Sequence, residues 1–388
     1  MGWKITFNKM SFNELKSKEF DRAISLFQGF DYSLSLRAAI EGNNPGRIFV
    51  DNIDSPRTAF ALTVEGYLLA GDYEEPGILE ALRLFWKEKI FTGEVFVNGD
   101  ESLSLAVYPE AWENKLPILI PTHEIEKLPR YHYLCQEVKL DWRKNLPEGY
   151  TLRRVDREML ANSESFFSKP LQDWNPIRDM WFTEDDYLIK GISYCILHEN
   201  RAVAWCSPDC VAGDQIDVGI YTDPAHRKRG LAAAVVAATV EGCFQHGYRK
   251  VGWHCNAENI ASWKTAEKVG FERNREYAYY YLIYDLIDHL AELGWLSYKR
   301  GEYSKTAAYY EQVFSQRKEN PDYYYHLAAL AWAHLGNPDQ ALRYLQEAAD
   351  RGWGHVEHTK EQEAFRGLLD TPQWAAILKC MEENSRKT

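Results

Sequence analysis

Residues 219–232, Gly-Ile-Tyr-Thr-Asp-Pro-Ala-His-Arg-Lys-Arg-Gly-Leu-Ala, carry the types and spacing that bind a pyrophosphate. An alternating apolar run ends at Tyr221, a Thr-Asp-Pro turn follows, and a basic loop leads directly into an Ala/Val-rich helix. The first amides of a helix have no intrahelical acceptor, and the helix dipole places positive potential beside them. Gly230 lets the backbone approach an anion, and Arg227, Lys228 and Arg229 add charge. Strand, phosphate cradle and helix are therefore expected in that order.

Such a loop needs a sheet to hold it. Residues 150–155 read as a strand, 189–198 and 202–206 as a hairpin across Glu199-Asn200-Arg201, and 215–221 as the strand entering the loop. After the helix at 230–246 come a strand at 250–255, a short helix at 260–269 stopped by Gly270, and aromatic-rich strands over 271–284. The turn Leu146-Pro147-Glu148-Gly149 marks the start of this domain, 146–284. Before it, 1–145 read as a small α+β domain. It has a leading helix at 3–26 with Leu15, Ile24 and Leu26 as buried positions, β-rich pieces at 47–52, 58–70, 94–97 and 103–107, and a helix at 76–89. The piece at 58–70 bends or reverses at Glu65-Gly66, Asn98-Gly99-Asp100 forms a turn, and prolines 117, 121 and 129 break the stretch before Tyr131.

From 285 to 388 the pattern is helical and repeats. Gly301, Tyr309, Tyr310 and Val313 align with Gly336, Tyr344, Leu345 and Ala348, and Leu293 with Ala328. This resembles tetratricopeptide repeats, with 356–378 as a terminal pair. The segment is expected to pack on its neighbours or to engage a protein partner.

Bulk properties narrow the classes. A chain of 388 residues suggests two or three domains, and 45% hydrophobic with 14% aromatic residues is a globular composition. A net charge of −12 disfavours sequence-independent nucleic-acid binding, and no apolar run is long enough for a membrane span. Seven cysteines without Cys-x-x-Cys pairs argue against zinc and against a disulfide framework, so no metal site is expected. Residues 1–18 lack a secretory h-region, which points to a reducing cytoplasm. Met1-Gly2 fits a loose myristoylation pattern, for which an ordinary glycine is the commoner explanation.

Arg227-Lys228-Arg229-Gly230-Leu231-Ala232, followed by Asn256 to Ser262 and Ala266-Glu267-Lys268-Val269-Gly270-Phe271, resembles the GNAT acyltransferase family. The resemblance implies an α/β GNAT fold, a mixed and mostly antiparallel sheet, with acetyl-CoA as the donor. Amides from Lys228 to Ala232 would hold its pyrophosphate. Backbone groups of Ile220, Tyr221 and Thr222 would pair with the pantetheine arm, and Asn259 and Ser262 would face the cofactor, helix N-capping being the alternative for both. Family members often carry an acid at Asp217, implied here as the base, against which stands an ordinary ion-paired strand carboxylate. Many relatives place a tyrosine acid where this chain has Ala266. Tyr279, Tyr281, His254 and Cys255 are the replacements, and Tyr281 is assigned the role.

The arrangement also resembles the zwittermicin-resistance subfamily, with 1–145 either a degenerate GNAT half that walls the acceptor pocket or an unrelated packing domain. The expected activity is acetyl transfer to a primary amine of a small, antibiotic-like molecule. Two alternatives are a coenzyme A-binding GNAT domain with little turnover that engages a protein through the repeats, and a protein acetyltransferase.

Overall fold

The computed structural model describes residues 11–94, 101–167 and 180–386. The expected pieces at 94–97 and 98–100, the myristoylation pattern, and parts of the helices expected at 3–26 and before Met180 fall wholly or partly outside these residues. The chain divides into two compact units, one reaching Tyr281 and one starting at Leu282.

The first unit is built on one sheet of twelve strands. In chain order they are β1 (Asn13–Glu14), β2 (Gly46–Val50), β3 (Thr58–Thr63), β4 (Gly66–Gly71), β5 (Ser102–Tyr108) and β6 (Glu126–Cys135). Then follow β7 (Tyr150–Arg154), β8 (Tyr194–His198), β9 (Arg201–Ala212), β10 (Gln215–Thr222), β11 (Lys250–Asn256) and β12 (Glu272–Ile283). Their spatial order is β1-β2-β3-β4-β5-β12-β6-β11-β10-β9-β8-β7. Pairing is antiparallel at most steps and parallel at β4–β5 and β10–β11. The helices used below are α1 (Leu34–Ile40), α2 (Ile78–Phe85), α3 (Leu231–Gln245) and α4 (Ile260–Val269).

Local chemistry explains the turns. The 58–70 piece is a hairpin that reverses at Val64-Glu65. Glu199 and Asn200 have φ of 51° and 64°, the signature of a type I′ turn joining β8 to β9. Residues 184–190 are helical rather than part of that hairpin, because Thr183 caps the amide of Asp186 and three acidic residues fill the first turn. β9 runs on past Cys206 to Ala212, with Pro208 at a register shift opposite Val218, where a missing N–H is tolerated. β6 forms despite Pro129, which falls just beyond the last β6–β11 pair, Arg130–Asn256.

Helix α3 is apolar around its circumference, as a helix covered on several sides must be. Val235, Val236 and Val240 are fully buried in the core shared with β8, β9 and β10. Trp142, donating to Glu241 at 2.9 Å, covers another face.

The second unit is helical: α5 (Leu286–Lys299), α6 (Tyr303–Gln316), α7 (Asp322–His334), α8 (Pro338–Asp350) and α9 (Pro372–Ser385). Gly301 and Gly336, with φ of 76° and 71°, occupy matching positions after α5 and α7. No helix among the described residues is long and apolar enough to cross a membrane.

One glycine ties strand packing to the centre of the sheet. A Cβ on Gly252 of β11 would lie 1.8 Å from Oδ1 of Asp217 on β10. Gly252→Ala is therefore expected to destabilise the chain by about 1–3 kcal/mol, through displacement of a buried carboxylate, measurable by urea denaturation.

Candidate active site

Strands β10 and β11 pair at Gln215–Lys250, Ile216–Val251 and Asp217–Gly252, and no further. At the same level the β9–β10 register slips between Asp217 and Val218, leaving Asp209 as an extra residue on β9. A bulge bends its strand and increases the local twist. Beyond Asp217 the two parallel strands part, and a cavity of about 720 Å³ opens between residues 218–222 of one and 253–256 of the other. Among the described residues, backbone groups on the inner edge of β10 there have no strand partner. Tyr221 is held by stacking on Trp205 of β9, with centroids 4.2 Å apart.

The loop after β10 closes one end of this cavity. Asp223 accepts from the amide of Ala225 and starts a short turn, while Arg227 donates to the carbonyl of Thr222 at 3.2 Å. Lys228 and Gly230 both have positive φ, 60° and 81°. The first intrahelical bond runs from Ala234 to Gly230, so the amides of Leu231, Ala232 and Ala233 precede the ladder. Left-handed residues before a helix N-terminus form an anion-binding concavity. These residues fit a pyrophosphate.

Of the residues singled out in the sequence, Ile220, Tyr221, Thr222, Arg227, Lys228, Gly230, Leu231, Ala232, Asn259 and Ser262 all line the cavity. Arg229 does not, and its guanidinium donates to the Tyr150 hydroxyl at 3.2 Å. Asn259 and Ser262 also have structural work. Asn259 caps the amide of Ser262, and Ser262 Oγ accepts from Trp253 Nε1 at 3.1 Å. Tyr281 is not on the cavity. It pairs with Glu126, four residues along β12 from Tyr277, which is roughly 13 Å at strand rise.

At the closed end of the cleft lies a cluster that sequence reading saw only in part. Asp217 is 1% exposed, and its Oδ2 stands 3.4 Å from Nε2 of His254, a residue lining the cavity. Neither atom has an aligned hydrogen-bond partner among the described residues. On the far side of the imidazole, Nδ1 is 2.8 Å from the Tyr277 hydroxyl, which accepts from Arg130 Nε at 3.0 Å. Because Arg130 can only donate, the Tyr277 hydrogen is assigned to His254 Nδ1, which leaves the histidine proton on Nε2, facing Asp217. His132, opposite His254 on β6, stacks on it at 4.5 Å. Glu65, from the β3–β4 turn, completes a group in which one donor atom from each of Glu65, Asp217 and His254 lies within 4.8 Å of the others. Three donors are fewer than a closed zinc site takes, and the charge of Arg130 acts on Glu65 and His254 alike.

Burial governs the protonation of this cluster. It pushes the Asp217 carboxyl up to about 6, and it lowers His254 and His132 to about 4 each. Glu65 and Asp209 are raised by the same loss of hydration, and each is raised further by neighbouring carboxylates. Near neutral pH the cluster thus holds neutral imidazoles beside an ionised Asp217.

A GNAT acetyltransferase family model matches residues 24–280. The chain belongs to the GNAT acetyltransferase family. It is 24% identical over 270 residues to a protein of Bacillus subtilis (strain 168) named "Uncharacterized N-acetyltransferase YdfB", covering 69% of this chain and 97% of that relative. A crystal structure of a GCN5-related N-acetyltransferase-like protein from Streptococcus suis 89/1591 superposes with a TM-score of 0.52 at 22% identity, covering 68% of this chain and 98% of the other. The fold is the GNAT fold, and the chain is a GNAT-type N-acetyltransferase. GNAT acetyltransferases use acetyl-CoA as donor, and the parted strands and basic loop of this acetyltransferase offer groups suited to it.

The acetyltransferase's loop is testable apart from catalysis. Nothing lies within 4 Å of a Cβ built on Gly230, so a substitution there meets only the unfavourable positive φ. Gly230→Val is expected to cost about 1–2 kcal/mol of stability and to weaken coenzyme A binding several-fold, read by thermal melts and calorimetric titration.

Proposed function

We propose that this acetyltransferase transfers an acetyl group from acetyl-CoA to the primary amine of a small cationic molecule, with Asp217 as the base. The observation that carries the reading is the juxtaposition of Asp217 and His254 at the closed end of the strand cleft. Acetyl-CoA supplies the activated thioester carbonyl. Ile220, Tyr221 and Thr222 orient the pantetheine arm through their backbone groups, and Lys228, Gly230, Leu231 and Ala232 hold the pyrophosphate. Asn259 and Ser262 border the arm from the other side. Arg227 adds charge at the loop, and Arg229 supports the loop through Tyr150.

An attacking amine must lose a proton, and a carboxylate with its affinity raised by burial is a competent acceptor near neutral pH. His254 presents Nε2–H to Asp217 at the closed end of the cleft, held in that tautomer by Tyr277 and Arg130. An acceptor that arrives as an ammonium ion gives up two protons, one to Asp217 before it attacks and one to solvent as the amide forms, and the leaving sulfur takes its proton from solvent. The roles considered for Tyr281 pass to His254, which lines the cleft where Tyr281 does not and is held from behind by the Tyr277 hydroxyl. The buried carboxylate of Asp217, ionised beside neutral imidazoles, favours an acceptor that arrives as an ammonium ion. The burial of Asp217 beside Glu65 and His254 favours a small one.

The division into 1–145, 146–284 and 285–388 is retained as a functional one. In the first part, β2-β3-β4 and the parallel strand β5 repeat the order of β8-β9-β10 and β11, with α2 in the place of α3. Its loop carries Asp72, Glu74 and Glu75 in place of basic residues, which would repel a phosphate. This supports a degenerate GNAT half that supplies Glu65 to the acceptor site. Membership of the zwittermicin-resistance subfamily, an antibiotic-like acceptor, a cytoplasmic location and tetratricopeptide-like repeats over 285–388 belong to the same proposal.

The test is thiol release from acetyl-CoA against a panel of small amines. Asp217→Asn should lower kcat roughly tenfold or more with little change in KM for acetyl-CoA. The wild-type rate should fall as pH drops through about 6, because protonated Asp217 cannot accept a proton, and the Asn variant should lose that limb. His254, already neutral above about 4, adds no limb in this range. A pH profile unchanged by Asp217→Asn would reject Asp217 as the base, and uniform rates across neutral and cationic acceptors would reject the ammonium preference.

A further inference from the structure

Helix α5 carries Asp288, Ala291, Glu292 and Trp295 at i, i+3, i+4 and i+7, a single stripe. With Tyr310 of α6 and Tyr323 and Tyr324 of α7, the stripe lines a cavity of about 300 Å³ in the helical unit. Four aromatic rings and two carboxylates around so small a space are an unusual lining, since aromatic residues of a repeat are ordinarily spent on the core.

Trp295 and Tyr323 are not spent there: they are 39% and 44% exposed. Tyr323 packs edge-on against Tyr324 with centroids 4.6 Å apart, and Tyr324 lies 5.5 Å from Tyr310. Tyr310 is wholly buried, yet its hydroxyl has no hydrogen-bond partner among the described residues. A buried, unpaired hydroxyl costs free energy unless something arrives to pair with it. Tyr310 lines the same cavity as Tyr323, Tyr324 and Glu292, which are its electrostatic neighbours. Asp288 is engaged by Arg317 at 2.7 Å, whereas half-buried Glu292 feels the opposite charge of Lys299. Lys299 itself sits 3.6 Å over the Trp295 ring, so the indole already presents a face to a cation.

We propose that this cavity is a cation-binding cage that takes a single basic side chain, arginine or lysine, from a partner protein. Aromatic faces attract the cation through their quadrupoles, Glu292 supplies the counter-charge, and the Tyr310 hydroxyl accepts a hydrogen bond from the guanidinium or ammonium. The volume suits one side chain and excludes a helix. The site is separate from the acetyl-transfer cleft and does not depend on the reading of that cleft.

The probes are N-acetyl-arginine amide and its neutral isostere N-acetyl-citrulline amide, titrated calorimetrically into the full chain. Neither has a primary amine to be acetylated. The arginine compound should bind at least about fivefold more tightly than the citrulline one, with an affinity that falls as salt rises. Glu292→Gln and Tyr323→Ala, the latter at an exposed ring, should each weaken it severalfold, while Asp217→Asn leaves it unchanged. Lys299→Met, which removes a competing cation, should strengthen it. Equal binding of both compounds, or arginine binding that survives both Glu292→Gln and Tyr323→Ala in variants with native circular dichroism, would overturn the cage. A short arginine-containing peptide should bind more tightly than the free amide. Tighter binding of spermidine than of the peptide would overturn the protein partner in favour of a small polyamine.

Discussion

The parting of β10 from β11 after three residue pairs is the constraint on which the functional site depends. Two parallel strands that stayed zipped would bury their amides in each other and leave no room for a ligand arm. The bulge at Asp209 and Pro208 is the mechanical cause, because it adds a residue to β9 where β10 must turn away. The parallel step in the first half shows the alternative: β4 and β5 pair through Ala70–Tyr108, close to the end of β4. That half lacks both the opening and a basic loop, two losses that agree with each other. A phosphate cradle is of little use without a cleft leading from it.

The opening has an electrostatic consequence. Asp217 is the last residue of β10 paired with β11 and therefore lies at the apex of the cleft, out of water. Its neighbours arrive from adjacent strands: His254 from β11, His132 and Arg130 from β6, Tyr277 from β12. Cross-strand registry places His132 opposite His254 and Arg130 opposite Tyr277, so a chain from Arg130 through Tyr277 to His254 runs perpendicular to the strands. A rearranged strand order would break it. Burial raises the carboxylate and lowers the imidazoles together, which moves both toward neutrality and limits the charge that the site must keep dry.

The legible part of this site was the part encoded locally. Residues 219–232 announce strand, loop and helix in one continuous stretch, and Asn259 and Ser262 follow within one further strand and turn. Asp217 lay close enough to the loop to be noticed. Tyr277, Arg130, His132 and Glu65 lie 60 to 152 residues from Asp217 in the chain, and only the sheet order brings them together. Alternation along β12 puts Tyr277, Tyr279 and Tyr281 on one face, so the aromatic strand was visible while the residue that reaches His254 was not. β6 was hidden by Pro129, a breaker in most strands, because the sequence cannot show that the β11 partner ends one residue earlier. The helical character of 285–388, by contrast, is legible in its local pattern, and Gly301 and Gly336 mark helix ends because a positive φ there is a requirement that few other residues meet.

The composition of the chain acquires a physical meaning from these sites. A 14% aromatic content and a net charge of −12 could describe any acidic globular protein. Here tyrosines and carboxylates recur together in two places, Tyr277 and Tyr279 near Glu65 and Asp217, and Tyr310, Tyr323 and Tyr324 near Glu292. Acidic groups drawn out of water beside aromatic rings raise the local affinity for cations more than either type does alone, because the rings exclude water without supplying a competing positive charge. In the sheet the histidines remain neutral and Arg130 is engaged by Tyr277, while in the helical unit Lys299 lies over an indole. Each place therefore sets a carboxylate among aromatic rings, Asp217 in the sheet and Glu292 in the helical unit, a costly arrangement for stability that a cation would relieve.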